Sequence, residues 1–439
     1  MIGAWLRLRL AESYAPTWSY DYTPHLQYLE HVADTGGLPP LSAHRAAYNP
    51  PLFYLLGGAV LGREGTLEDV QLISIGAGVV TLALIWLGLR RFLQHDPIAR
   101  LIALSLAAVL PCAIHMQGMI SNEALLGALA TATLLWVRPA FEAAPMRRWL
   151  SSGALGLTLA LALLTKISPI LFCIAIGFGV LLDATWKRRL GARNAWRRLA
   201  PVVCGSVLAL GIALPVHARH YADSGRLFPT GYDSINVRPV AHIPYLARRP
   251  ISFYVAPCAG EIFKRPYYPS CSEPDARFWP VLVASTFGDY YNFRYAGMPR
   301  GAEPVIEANH RLLSVRALWL MRAAVAAGAL IALGTIGGTL AGMVSAIRRH
   351  DVARSVLLSA SILAIFAQLA FTIQFPYDGF GPIKGSYLQF ASAPLFAAFG
   401  VACSWLWQRP RFRVLAVAQI GAVFVVAVYS VYARWHGFY

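Results

Sequence analysis

The run Leu72–Phe92, LISIGAGVVTLALIWLGLRRF, decides the fold. It is apolar until Arg90, and at 1.5 Å per residue a helix of that length crosses the roughly 30 Å hydrocarbon core of a bilayer. Similar runs follow at residues 98–117, 121–137, 150–165, 167–184, 199–218, 318–346, 353–374, 385–407 and 412–433, which makes ten. A backbone in lipid must satisfy its N–H and C=O groups within its own segment or in a closed barrel, and unbroken apolar runs select the helix over alternating barrel strands. With 57% hydrophobic and 13% charged residues, the chain is expected to be an all-α polytopic membrane protein of about ten transmembrane helices. Pro169, in the stretch LLTKISPIL, either separates two of these helices or kinks one.

Charge placement orients the helices. The short segments RRFLQHDPIAR, VRPAFEAAPMRRW, WKRRLGARNAWRRL, IRRHDVAR and WQRPRFR would all lie on one side, and the only acids on that side are Asp96, Glu142, Asp351 and, just before the third segment, Asp183. By the positive-inside rule that side is cytoplasmic, and both ends of the chain lie outside. The net charge of +17 then reflects orientation and attraction to anionic membrane lipids, which leaves no call for a nucleic-acid partner. The opening MIGAWLRLRL is too short to span and lacks the pattern of a cleavable signal, so it reads as the end of a further N-terminal span, eleven in the full product. The expected layout is a first outer loop over 1–70, a helix group over 71–218, a large outer loop over 219–316 and a second helix group over 317–439.

Ionisable groups collect on the outer side. YDYTPHLQYLEH (residues 20–31) crowds Asp21, His25, Glu30 and His31 into one run. Thr23 as N-cap, Pro24 at the first helical position and Gly36–Gly37 as a stop predict a short amphipathic helix over 24–34, lying on the membrane interface. Asp21 sits before its positive end, where a carboxylate stays ionised, and either decorates the helix or serves as an available anion. AYNPPLFYLLGG (residues 47–58) breaks the chain at Asn49 and two prolines before an apolar stretch too short to cross. Such a re-entrant segment requires protein or a watery cavity beside it. In the large loop, Cys258 and Cys271 can form a disulfide, the alternatives being two free thiols or a metal site. Cys112, Cys173, Cys204 and Cys403 fall within spans. A short helix is expected between Phe278 and Phe287, resting on the membrane.

The order of these features carries a resemblance. Asp21 with His25, then GGLPP (36–40), YNPPLFYLLGG, MISNEALLGAL (119–129), LLTKISPIL (163–171) and GPIKGSYLQFASAPL (381–395) resemble the GT-C membrane glycosyltransferases. Protein mannosyltransferases and lipid A aminoarabinose transferases are members. The likeness runs through most of the membrane part, but the large outer loop matches only in position. The resemblance implies inverting transfer of a sugar from a polyprenyl-phosphate donor to a lipid, glycan or protein acceptor. It places the site on the periplasmic face of a bacterial inner membrane. Asp21 takes the position of the proposed general base; many relatives carry two adjacent acids there, whereas Tyr20 and Tyr22 flank Asp21.

The residues fit that chemistry. A hydroxyl nucleophile needs a carboxylate to accept its proton, and a departing phosphate needs fixed cations and donors. Lys166, Lys384, Tyr387 and Arg294 are the phosphate candidates, although lysines at span ends also serve as snorkelling anchors. His25, Asn49, Asn122, Glu123, Trp279 and Tyr290 are candidate substrate contacts. Ser121 and Glu123 also suit the start of a helix, and Trp279 and Tyr290 the membrane interface. His25, His31 and His44 lack the spacing that fixes a metal, so no metal site is assigned and no cofactor is required, while divalent-metal assistance stays open. No nucleotide-binding motif occurs. The rival is a transporter or flippase of about ten spans, for which ionisable residues near span centres and a repeated half would speak; only Arg322 is so placed.

Overall fold

The computed structural model describes residues 1–18, 21–186, 192–230, 249–256, 263, 266, 277–288, 315–375 and 383–435 of the chain. Every regular element among them is helical. The N-terminal segment forms α1 (Ile2–Leu8) and α2 (Leu10–Ser13), which bury Leu6, Arg7 and Leu10 in the bundle. The helix α3 (Tyr22–Thr35) is longer at both ends than its sequence signals indicate. Thr23 is not its cap: Asp21 occupies that position, and its side chain makes no capping hydrogen bond. Gly36 does end it, in the left-handed conformation that glycine adopts without cost. The apolar stretch after the double proline is α4 (Leu52–Leu61), which packs on α3. Gly57 and Gly58 permit the approach, since a Cβ on either would lie within 2.6 Å of the side chains of Leu29 or Val32.

The run that opened the reading is α5 (Leu67–Phe92), started by a reciprocal capping box between Thr66 and Asp69 and ended by Arg90 and Arg91. The second expected span is broken into α6 (Pro97–Val109) and α7 (Pro111–Gln117), bent by 49°. Proline has no N–H for the carbonyl four residues back, so the break strands backbone acceptors inside the bundle. Arg7, only 1% exposed, supplies the missing donors, its guanidinium reaching Ala107 O at 3.3 Å and Ala108 O at 3.0 Å.

The remaining spans are α8 (Asn122–Glu142), α9 (Pro145–Leu163), α10 (Ile170–Trp186) and α11 (Ala192–Ser224). After the short α12 (Ile251–Val255) and α13 (Phe278–Phe287) come α14 (Val315–Arg348) and α15 (Val352–Gln374). A 3-10 turn over Gly385–Ala391 leads into α16 (Ser392–Trp407), and α17 (Arg413–Trp435) is last. Pro169 separates α9 from α10 rather than kinking one helix. All ten expected runs are helical, but seven are long and apolar enough to cross a membrane, eight with the bent pair. The other two are α9, which carries Arg147 and Arg148 in its first turn, and α10, which has only 17 residues.

Two apolar cores hold the bundle. One joins α1 and α6 to α14, α16 and α17, and the other joins α8 through α11 to α15. The helices α9 and α11 pack at Gly156 and Gly205, where a Cβ on Gly156 would stand 2.3 Å from the Gly205 carbonyl oxygen. Helix α13 occupies the residues expected, Phe278–Phe287. It is apolar on all sides and buries Phe278, Val281, Leu282, Ala284 and Phe287 against α14 and the 3-10 turn.

Candidate active site

The N-terminal end of α3 and the segment between α3 and α4, the start of α8, the α9–α10 turn and the 3-10 turn before α16 converge on one narrow polar pocket of about 30 Å3. Asp21, His25, Asn49, Asn122, Glu123, Lys166 and Tyr387 all line it. Its size admits the reacting end of a substrate, with the remainder lying outside.

Asp21 enters the pocket from a strained position. Its φ of 54° lies in the left-handed region, uncommon for a residue with a side chain although least so for Asn and Asp. Because the carboxylate is not engaged at the helix N-terminus, it faces Arg45, with 3.7 Å between Oδ1 and the guanidinium. Burial pushes the Asp21 carboxyl up, but Lys384, Arg45, His25 and Lys166 together outweigh it and hold the group below its usual range. The acid is therefore ionised at neutral pH.

His25 follows one helical turn later and is buried, its Nδ1 hydrogen-bonded to the Tyr54 hydroxyl at 2.7 Å. Tyr54 in turn stacks on Tyr28 with ring centroids 3.8 Å apart. Burial drives the His25 imidazole down to about 4 against the opposing pull of Asp21, so it is neutral at working pH. The two asparagines brace the pocket. Asn122 donates to Asn49 Oδ1 at 3.3 Å and to Thr165 O at 3.1 Å, and Asn49 donates to Ala46 O at 3.1 Å. Ser121 occupies the N-cap of α8 without making a side-chain cap, contrary to the expectation from sequence, and its hydroxyl is buried without a hydrogen-bond partner.

The cations sit around one ring. Lys166 forms an ion pair with Glu123 and lies 4.7 Å from the centre of the Tyr387 ring. Lys384, 7% exposed, lies 5.5 Å from the same ring. Burial lowers the Lys384 amine to about 8, even though Asp21 pulls it the other way. Helix α13 sets the position of this turn, since Gly385 donates its N–H to Ser285 Oγ at 3.0 Å. Only glycine fits there, because a Cβ would come 2.2 Å from Thr286 Oγ1 and 2.8 Å from its Cα.

Behind that turn lies an apolar cavity of about 350 Å3 that Gly385, Leu388 and Gln389 line along with Trp279, Leu282 and Phe366. Trp279 thus belongs to this cavity and not to the polar pocket, because α13 is drawn into the bundle by its buried faces. Arg294, Tyr290, Cys258 and Cys271 lie outside the described residues. Arg45, Tyr54 and Tyr28 were missed by the sequence reading. Nothing in LSAHRAAYNPP marks Arg45 as the cation that reaches Asp21. Among the described residues no three His, Cys, Asp or Glu side chains are grouped to hold a metal.

Residues 49–217 match the family model described as dolichyl-phosphate-mannose-protein mannosyltransferase. The oligosaccharyltransferase of Archaeoglobus fulgidus, solved with Zn and sulfate, aligns over 100% of this chain and 53% of its own, at 15% identity and a TM-score of 0.53. That likeness is one of fold. ArnT from Cupriavidus metallidurans in the apo state aligns over 98% of this chain and 75% of its own, at 16% identity and a TM-score of 0.39. The archaeal oligosaccharyltransferase AglB from A. fulgidus, in complex with an inhibitory peptide and a dolichol-phosphate, covers 100% and 55%, at 14% identity and 0.49. The chain spans about half the length of the oligosaccharyltransferase structures. None of the curated proteins matches it by sequence.

Proposed function

We propose that the protein transfers a sugar from a polyprenyl-phosphate donor to an acceptor hydroxyl or amide at the outer face of the membrane, with inversion at the anomeric carbon. The observation that carries this reading is the convergence of one ionised carboxylate, Asp21, with Lys166, Lys384 and Tyr387. The acceptor oxygen or nitrogen attacks C1 of the sugar and passes its proton to Asp21, while the C1–O bond to phosphate breaks and its electron pair stays on the phosphate. Lys384, Lys166 and Arg45 offset that growing charge, and Tyr387 holds both lysines.

Electrostatics order the steps. In the empty site the cations depress the basicity of Asp21. A bound phosphate cancels much of their field, so the carboxylate becomes a stronger base once the donor is in place. The apolar cavity on the far side of the Gly385–Ala391 turn suits the first prenyl units beside the phosphate. The family description, naming dolichyl-phosphate-mannose, supports a lipid-linked donor of this class. Such a donor, by position of the acids, would be used on the side away from the basic loops, the periplasm if the membrane is a bacterial inner one.

The test is transfer by the full chain in liposomes, offered either a polyprenyl-phosphate hexose or pentose or a sugar nucleotide. Release of polyprenyl phosphate together with an acceptor-linked sugar of opposite anomeric configuration is expected. Retention of configuration, or use of the nucleotide alone, would overturn the reading. Comparing membrane glycolipids and surface glycans of a deletion strain with and without the gene then identifies the acceptor.

A further inference from the structure

A second cavity lies between α5, α8, α14, α15 and α16, remote from the polar pocket. Its mouth includes Arg138, fifteen residues after Glu123 on α8, a separation of about 22 Å along the helix at 1.5 Å per residue. The two sites therefore belong to opposite membrane faces. We propose that this cavity binds an anionic phospholipid, with the headgroup on the arginines and the first acyl carbons inside.

The body of the cavity is apolar, about 120 Å3, with Leu84, Leu134, Leu358 and Ala397 among its walls. An apolar cavity of about 150 Å3 takes a benzene ring, so this one has room for a few methylene groups. Gly338 and Gly342 lie on one wall, where Gly338 lets α14 approach the Ala398 carbonyl of α16, since a Cβ there would stand 2.3 Å from that oxygen. A Cβ on Gly342 would stand 3.2 Å from Leu358 Cδ1 and 3.6 Å from the guanidinium of Arg354, so both side chains border the glycine.

Charge at the mouth is unbalanced in favour of an anion. Arg138 is neutralised by Glu142 and Asp351, each at 3.1 Å. The carboxylate of Asp351 also caps α15, accepting from the Arg354 backbone N–H at 2.9 Å. The guanidinium of Arg354 makes no ion pair within 4.0 Å among the described residues; Asp351 attracts it from farther off while Arg349 and Arg138 oppose it, so the arginines Arg138, Arg348, Arg349 and Arg354 outnumber the acids Glu142 and Asp351 here. Next to this mouth, Leu340, Ala341 and Val344 line a shallow groove on α14 that ends at Arg348 and Arg349. Leu340 and Val344 are 59% and 49% exposed, which in a membrane helix means facing lipid. An apolar groove and cavity topped by surplus guanidinium groups complement a phosphate carrying an acyl chain. The guanidinium engages phosphate oxygens two at a time, whereas free phosphate would leave the cavity unused and a zwitterionic lipid would leave the charge uncancelled.

The experiment uses the full chain in neutral detergent, titrated with dioleoyl phosphatidylglycerol or dioleoyl phosphatidylcholine and followed by native mass spectrometry. Thermal unfolding is recorded in parallel, with inorganic phosphate as a third additive. One phosphatidylglycerol per chain is expected to bind at least tenfold more tightly than phosphatidylcholine. Arg354→Gln should erase that preference and Arg354→Lys retain part of it. Ala397→Leu, which fills the cavity and keeps every charge, should weaken phosphatidylglycerol at least fivefold; should Arg354→Gln unfold, this variant decides. Equal binding of the two lipids overturns the proposal. So does a preference unchanged in both variants, or protection by millimolar inorganic phosphate equal to that of phosphatidylglycerol.

Discussion

Asp21→Asn separates chemistry from architecture at this site. Asparagine tolerates the left-handed backbone at φ 54° as well as aspartate does. No cap is lost, since the Asp21 side chain caps nothing. The direct ion pair that disappears is the 3.7 Å contact to Arg45, whose side chains are 46% and 38% exposed, which limits its worth to at most about 1 kcal/mol, and the longer-range attraction of Lys384 and Lys166 goes with it. The variant should thus unfold within a few degrees of the wild type. Turnover should fall about 10²- to 10⁴-fold, the usual contribution of general-base catalysis, or roughly 3–5 kcal/mol in the barrier. The assay is single-turnover release of polyprenyl phosphate in liposomes at pH 6.5, with donor affinity measured separately. At that pH Lys384 stays charged, so donor binding should change little. Turnover within threefold of wild type would remove Asp21 from the role of base. A hundredfold loss of donor affinity with normal turnover of the bound complex would make it a binding residue instead.

Donor affinity should fall as pH rises through about 8, where buried Lys384 loses its proton, and the step should vanish in Lys384→Arg, whose charge persists. Because the folded pKa of Lys384 lies below its unfolded value of 10.5, the native state binds fewer protons between about 8 and 10.5, so this group makes stability rise with pH across that window. On the acid side, His25 near 4 and a lowered Asp21 predict no inflection in the pH–rate profile between 5.5 and 7. Gly385→Ala, whose Cβ would meet backbone as well as side-chain atoms of Thr286, should destabilise by about 1–3 kcal/mol and cost at least tenfold in turnover by displacing Lys384 and Tyr387. Arg7→Met should lower stability in detergent by about 1–3 kcal/mol, because the carbonyls at the Pro111 bend lose their donors.

Much of the candidate site was legible because its residues sit at punctuation marks in an apolar chain. Lys166 falls in the break at Pro169, Lys384 and Tyr387 fall just before a span, and Asn122 and Glu123 open one. A charge at such a place is costly to bury without a partner, so its position alone raises the question of what it meets. The pairings themselves were not legible. Arg45 lies 24 positions from Asp21, and Lys166 lies 43 from Glu123, separations across which a linear pattern contains no distance. Helix α13 was placed on the membrane surface because its ten apolar residues fit that role equally well. Its buried contacts with α14 and the 3-10 turn were not legible in that pattern.

Composition and spacing by themselves determined that the chain is helical and inserted in a membrane. Lipid leaves a backbone no other way to satisfy its polar groups, and the apolar runs are long enough to impose that constraint. They also determined that the ionisable residues gather at helix ends. Tertiary structure alone decided that four such ends meet in one pocket, that Arg7 repairs the bend at Pro111 and that Arg354 borders Gly342. Those outcomes follow from how helices cross, which is set by side-chain volumes packed from distant parts of the chain.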